Sequence, residues 1–207
     1  MIKTFIFDLG KVIVPYDHDR GLLILEEHCG ISIDDLRARI YASEELNSYQ
    51  TGKISSREFY EALKEILNFR FVFEEFARIW NHTFTLTPLI EESVIEKLAK
   101  KFRLLILSDT NKLHFEFIRQ HFPILRHFDD FVLSYEVGAL KPSEEIFRAA
   151  IGKANCRAEE CFFTDDILIN IEAARRVGIN AVQFVSSERF QKDISKIISH
   201  ELHEYKK

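Results

Sequence analysis

Thr4-Phe5-Ile6-Phe7-Asp8 is a short run with no polar alternation that stops on a carboxylate. A strand wetted on one face alternates apolar and polar residues, so an unbroken run fits a parallel strand covered on both faces. Two later stretches repeat the design: Leu104-Leu105-Ile106-Leu107 before Ser108, and Cys161-Phe162-Phe163-Thr164 before Asp165. Phe131-Val132-Leu133-Ser134 and Ala181-Val182-Gln183-Phe184-Val185 bring the expected strands to five. Helical patterns lie between them. Thr87-Pro88 reads as N-cap and first helical position, with Leu89, Ile90, Val94, Ile95 and Leu98 at helical spacing behind it. Residues 143–154 and 168–176 read alike, the latter stopping at Gly178. The alternation predicts an α/β fold with a doubly wound, mainly parallel, five-stranded, Rossmann-like core sheet. Ligands of such sheets bind beyond the carboxyl ends of the strands, where Asp8, Ser108 and Asp165 fall.

Residues 16–86 break the alternation and read as helices only. One spans 21–28 and ends at Gly30, and a second starts at Ile33. A third opens on Ser55 with Glu58 three residues on, a capping box, and a last turn carries Phe73, Phe76, Ala77 and Trp80. The expected organisation is therefore a hydrolase core of residues 1–15 and 87–207 with a small all-helical cap domain, residues 16–86, inserted after the first strand. The charged stretch 201–207 reads as a fraying helix end.

Composition narrows the function. The 207 residues are 46% hydrophobic and 29% charged, which excludes a disordered chain, and the 19 Phe point to an aromatic core. A net charge of −5 offers no electrostatic footprint for nucleic acid. No apolar run approaches the roughly 20 residues that span a bilayer, and the start resembles no signal peptide, so a cytoplasmic protein without a membrane partner is expected. Cys29, Cys156 and Cys161 show no CxxC spacing and read as reduced structural thiols.

An Asp at the carboxyl end of a buried first strand can act as a nucleophile or as a metal ligand. Asp165-Asp166 ends a later strand, and adjacent carboxylates repel unless a cation or a proton compensates them. Oxygen-only donors suit Mg²⁺, which takes phosphate oxygens as further ligands. A hydroxyl at Ser108 and an ammonium at Lys141 make a workable clamp for a phosphoryl group, although each alone would read as a helix cap or a solvated loop charge.

Taken in order, Phe7-Asp8-Leu9-Gly10-Lys11-Val12, Leu107-Ser108-Asp109-Thr110-Asn111, Gly138-Ala139-Leu140-Lys141-Pro142, and Phe163-Thr164-Asp165-Asp166 with Asn170 resemble the four motifs of the haloacid dehalogenase superfamily. The stretch Gln50-Thr51-Gly52-Lys53-Ile54-Ser55 up to Phe59 is similar to the short cap of its bacterial sugar-phosphatase branch, which includes α-glucose-1-phosphatase-like proteins. The resemblance implies a phosphoric monoester hydrolase in which Asp8 attacks phosphorus and water then hydrolyses the aspartyl-phosphate. It implies Mg²⁺ held by Asp8, the carbonyl of Gly10, Asp166 directly, and Asp165 directly or through water. Ser108, Asp109 and Lys141 are the expected phosphate-binding residues, Lys141 also supports the nucleophile, and Asn170 orients the last loop. A small phosphorylated metabolite is the expected partner.

The chain departs from that pattern at Gly10, where most phosphatases of the superfamily carry a second Asp as acid/base catalyst; such a group contributes roughly 10²- to 10⁴-fold. Gly there could reflect a backbone conformation closed to Asp. Lys11 and Asp109 each replace an Asn of that branch, and a solvated Lys11 is the plainer reading. The eight His show no HExxH spacing, and most of them read as surface or capping residues. His18 and Asp19 sit at the passage from core to cap, a hinge that could also approach the site. Two alternatives stay open: a phosphate-binding or regulatory module impaired by the loss at Gly10, and a metal-independent haloacid dehalogenase, which Asp165-Asp166 disfavours.

Overall fold

The computed structural model describes residues 1–204, with side chains described through residue 196, so the charged stretch 201–207 lies outside the described side chains. Strands β1 (Thr4–Phe7), β2 (Arg103–Ser108), β3 (Asp130–Leu133), β4 (Cys161–Asp165) and β5 (Asn180–Gln183) form one parallel sheet in the order β3-β2-β1-β4-β5. β1 is central, its Phe7 level with Ile106 of β2 and Thr164 of β4.

The period-2 geometry of strands sorts the apolar runs onto two faces. Phe5, Phe7, Leu104, Ile106 and Phe162 enter one buried cluster, while Ile6, Leu105, Leu107, Cys161 and Phe163 enter the other. Both faces are covered, which is why the runs show no alternation. On the first face Phe7 packs edge-on against Phe128 and Phe190, at 5.7 and 5.5 Å between ring centres. Each such buried ring contributes about 1.5–3 kcal/mol. Fifteen of the 19 Phe are buried, as an aromatic core requires.

After β1 the chain leaves the sheet through α1 (His18–Cys29), α2 (Ile33–Tyr41), α3 (Glu44–Gln50), α4 (Ser56–Leu67) and α5 (Phe73–Asn81). These helices bury a cluster of their own around Leu36, Ile40, Tyr49, Phe59, Leu63 and Phe76. α4 starts on the expected capping box of Ser55 and Glu58. The two connections to the core run side by side: Tyr16 bridges Phe84, the Asp17 N–H donates to the Thr83 carbonyl at 3.0 Å, and the Thr83 hydroxyl donates to the Asp17 carbonyl at 2.6 Å.

The return helix α6 (Glu92–Ala99) starts later than Thr87-Pro88 predicted. The Leu89 N–H is committed to the Ile13 carbonyl at 2.9 Å, which draws this segment alongside the turn after β1 instead of into a helix. α7 (Lys112–His121), α8 (Ser134–Val137), α9 (Glu144–Ala154), α10 (Leu168–Arg176) and α11 (Ser187–Glu204) complete the layers. α3 and α7 have no counterpart among the expected helices. Each opens on a polar N-cap, Ser43 and Asn111, whose side chain accepts a backbone N–H. Ser134, expected at the end of β3, instead opens α8; its hydroxyl accepts the Thr110 N–H at 2.9 Å and donates to the Thr110 carbonyl at 3.0 Å.

Candidate active site

The carboxyl ends of β1, β2 and β4 converge on one cavity of about 200 Å³. The Asp8 N–H continues the sheet pairing to the Thr164 carbonyl at 2.9 Å, which fixes the first residue beyond β1. The chain then turns tightly, with the Ile13 and Val14 N–H groups on the Leu9 carbonyl at 3.0 and 2.9 Å. The left-handed residue of this turn is Lys11, at φ 58°, and not Gly10. A Cβ built on Gly10 would meet only the Cβ of Tyr16, at 3.9 Å. Gly10 is thus not closed to a side chain by backbone or space, contrary to the reading from sequence.

Lys141 arrives from the loop after α8, which Gly138 ends in the left-handed conformation at φ 82°. Its backbone N–H donates to Asp109 Oδ1 at 2.9 Å, and its Nζ donates to Asp8 Oδ1 and Asp165 Oδ2, both at 2.7 Å. The ammonium is buried. Burial opposes its charge, but Asp8, Asp165 and Asp109 around it more than offset that and raise its pKa. Burial likewise raises the Asp8 carboxyl, against the opposing pull of Lys141.

Asp165 is wholly buried and fully engaged: Asn170 Nδ2 donates to both its oxygens at 3.1 Å and the Ile167 N–H donates to Oδ1 at 2.8 Å. Asp166 is half-buried, and its carboxylate accepts a hydrogen bond from its own backbone N–H but from no other residue among those described. Burial and then the charge of Asp165 raise its pKa. One oxygen from each of Asp8, Asp165 and Asp166 lies within 4.8 Å of the others. Three carboxylates outnumber the one ammonium, and Gly10, whose carbonyl accepts no hydrogen bond among the described residues, lines the same cavity. This all-oxygen donor set fits a hard divalent cation such as Mg²⁺.

The sequence-predicted residues are brought together. Asp8, Gly10, Ser108, Asp109, Lys141, Asp166 and Asn170 line the cavity, and Asp165 sits behind them on Lys141. The Ser108 hydroxyl makes no hydrogen bond among the described residues and is available to a ligand. Asp109 spends one oxygen on the Lys141 backbone, and burial raises its pKa.

Sequence reasoning missed other residues that line the cavity: Tyr16, Gln50, Phe84, Thr110, His114 and Ile118. His114, expected at the surface or in a cap, is buried, its ring parallel to Trp80 at 5.4 Å. Its Nε2 faces the Trp80 carbonyl at 3.1 Å and its Nδ1 the Asn111 amide at 3.1 Å. Burial pushes its pKa down to about 4. Its only sequence signal was the i,i+4 spacing to Ile118. His18 and Lys11 line the cavity as well.

A carboxylate at the tip of a central parallel strand, bridged by a buried lysine to a second acid on the neighbouring strand, can attack an electrophilic centre bound in the cavity. That is the chemistry of a hydrolase working through an aspartate. The chain belongs to the haloacid dehalogenase-like hydrolases, whose family model matches residues 2–178. It is similar to the D-ribitol-5-phosphate phosphatase of Bacteroides thetaiotaomicron, 27% identical over 206 residues, covering 96% of this chain and all of that one. A HAD-family enzyme of the same organism, solved with magnesium and inorganic phosphate, superposes with TM-score 0.81 at 25% identity, covering 90% of this chain and 96% of that one. A predicted HAD-like hydrolase of Porphyromonas gingivalis shares the fold, with TM-score 0.80 at 22% identity over 96% of this chain and 98% of that one.

Proposed function

We propose that the protein is a Mg²⁺-dependent phosphatase that hydrolyses a small phosphate monoester, a sugar or polyol phosphate or a similar metabolite, through an aspartyl-phosphate on Asp8. The observation that carries this reading is the Lys141 ammonium held at 2.7 Å from both Asp8 and Asp165, with Asp166 beside them and Ser108 open to the same cavity. The phosphatase relative and the neighbour solved with magnesium and phosphate support it.

In this reading Asp8 Oδ attacks phosphorus in line, and the Lys141 ammonium favours its anionic form against the rise that burial imposes. The Ser108 hydroxyl and the Lys141 ammonium receive phosphoryl oxygens. Asp109 serves by fixing Lys141 through its backbone. Asp165 holds Lys141 from the far side, and Asn170 with the Ile167 N–H locks Asp165 in turn. Mg²⁺, held by Asp8, the Gly10 carbonyl and Asp166, with Asp165 direct or through water, would offset the charge of the phosphoryl oxygens when bound. The helices α1–α5 form a cap, residues 16–86, whose Gln50, Tyr16 and His18 select the alcohol.

A metal-independent dehalogenase would have no use for Asp166, a third carboxylate beside a single ammonium. Among the described residues no helix is long and apolar enough to cross a membrane. A cytoplasmic enzyme fits its three free cysteines. The test is a panel of phosphorylated metabolites assayed for phosphate release with Mg²⁺ and with chelator. Metal-dependent release from at least one monoester is expected, and full activity in chelator would refute the assignment.

A further inference from the structure

We infer that His18 is the acid and base that exchanges a proton with the oxygen departing from phosphorus, in place of the side chain that Gly10 lacks. The inference rests on the phosphatase reading. Cleaving a P–O bond to an alcohol leaves an alkoxide unless a proton arrives with it, so one group at the cavity has to supply that proton.

Elimination among the cavity-lining groups leaves few candidates. Asp8, Lys141, Asp109 and Asp166 are occupied by one another or by the cation site. His114 has both ring nitrogens on protein partners, Asn111 and the Trp80 carbonyl, and burial keeps it neutral. Tyr16 is partly buried, and its phenol is pushed up to about 12. Lys11 lies exposed on the turn beside Gly10. His18 remains.

The placement of His18 fits the task. It lines the cavity with Asp8, Gly10 and Lys11, at the first position of α1. The imidazole stands edge-on to Tyr16, 4.3 Å between ring centres at 83°, and its Nδ1 lies 2.5 Å from Tyr41 Oη. We assign Nδ1–H as the donor to Tyr41 Oη. Nε2, which has no partner among the described residues, is then the atom that gains and loses the proton. Burial holds the pKa of His18 below its ordinary value, with Lys11 pulling the same way, Asp19 and Asp17 opposing, and Arg37 adding to the first two.

The proton balance closes over the two half-reactions. As Asp8 Oδ bonds phosphorus and the P–O bond to the alcohol breaks, Nε2–H passes its proton to the departing oxygen. When water attacks phosphorus and the bond to Asp8 breaks, the water's proton returns to Nε2. Tyr41 is a positioning residue for the ring.

The test is kcat/KM across phosphate monoesters from aryl to simple alkyl, measured with Mg²⁺ on the wild type, His18→Gln and Lys11→Met. The wild type and Lys11→Met should share a shallow dependence on leaving-group basicity. His18→Gln should lose roughly 10²-fold or more on alkyl esters and only a few-fold on aryl esters, which need no acid. For alkyl esters the wild-type kcat/KM falls as pH rises through the His18 pKa, a limb the variant lacks. Gly10→Asp in the His18→Gln background should recover part of the loss, since a side chain fits at Gly10. If His18→Gln fails to fold, Tyr41→Phe keeps the imidazole and should shift the same pH limb. A wild type inactive on every ester overturns the phosphatase reading and this inference with it. An active wild type whose slope and pH limb survive in His18→Gln, or a limb unmoved in Tyr41→Phe, overturns the His18 assignment alone.

Discussion

Gly52, in the turn between α3 and α4, tests how the helical segment meets the core. It has φ +70°, and a Cβ built there would lie 2.0 Å from the backbone oxygen of Tyr135, in α8. Neither side yields easily: the turn is tied by Lys53 N–H to the Ser48 carbonyl at 2.8 Å, and α8 by Ser134 to Thr110. Gly52→Ala therefore carries two costs, about 1–2 kcal/mol for a left-handed L-residue and a further ~1–3 kcal/mol for overpacking. Gly30→Ala is the internal control, because Gly30 has φ +65° with nothing within 4 Å of its built Cβ. Both substitutions shrink the freedom of the unfolded chain equally. Differential scanning calorimetry should thus show a larger drop in Tm for Gly52→Ala, by roughly 2–4 °C per kcal/mol of the difference. Because Gln50, two residues earlier, lines the cavity, the displaced turn should also raise KM more than it lowers kcat. Equal Tm losses in the two variants would refute the close approach of this turn to Tyr135.

Three further outcomes follow from the site. Asp8→Asn should lower kcat at least ~100-fold with the fold retained by circular dichroism, since an amide cannot form the acyl phosphate; turnover of more than a few per cent would move the nucleophile elsewhere. Asp166→Ala should raise the Mg²⁺ concentration needed for half-maximal activity at little cost in Tm, whereas Asp165→Ala, which strips a buried partner from Lys141, should cost about 3–5 kcal/mol of stability by urea unfolding. The reverse pattern would exchange their roles. His114 is held near pKa 4 in the fold against 6.5 when free, so the unfolded chain binds its proton first. The stability that neutral His114 contributes is complete above about pH 6.5 and is lost as pH falls toward about 4, on the order of 3 kcal/mol. Urea titrations of wild type and His114→Gln across that window should show the loss in the wild type alone.

Much of the core was legible because burial on both faces of a parallel sheet writes itself as unbroken apolar runs. β1 and α10 match their expected bounds, β4 runs one residue further at its end, and β2 one residue further at each end. Where a long-range hydrogen bond intervened, local signals misled: Leu89 on Ile13 moved the start of α6 despite the Thr87-Pro88 signature. The turn after β1 is another case. Its left-handed residue is Lys11, although Gly10 stands beside it, because the bonds from Lys11, Ile13 and Val14 fix the turn's geometry.

The sequence by itself determined the parallel sheet, the helical insertion and the set of acids, hydroxyl and lysine that meet at the strand ends. Those follow from periodicity and from strand termini, which are local properties of the chain. Only the tertiary structure decided that Lys141 joins Asp8 to Asp165, that Asp165 is locked while Asp166 stays open, and that Tyr16, His18, Gln50 and His114 line the same cavity. These depend on the approach of segments far apart in sequence, such as Trp80 with His114 and Gly52 with Tyr135. The energy of such contacts comes from burial and hydrogen bonds between elements, and no spacing within one element encodes it.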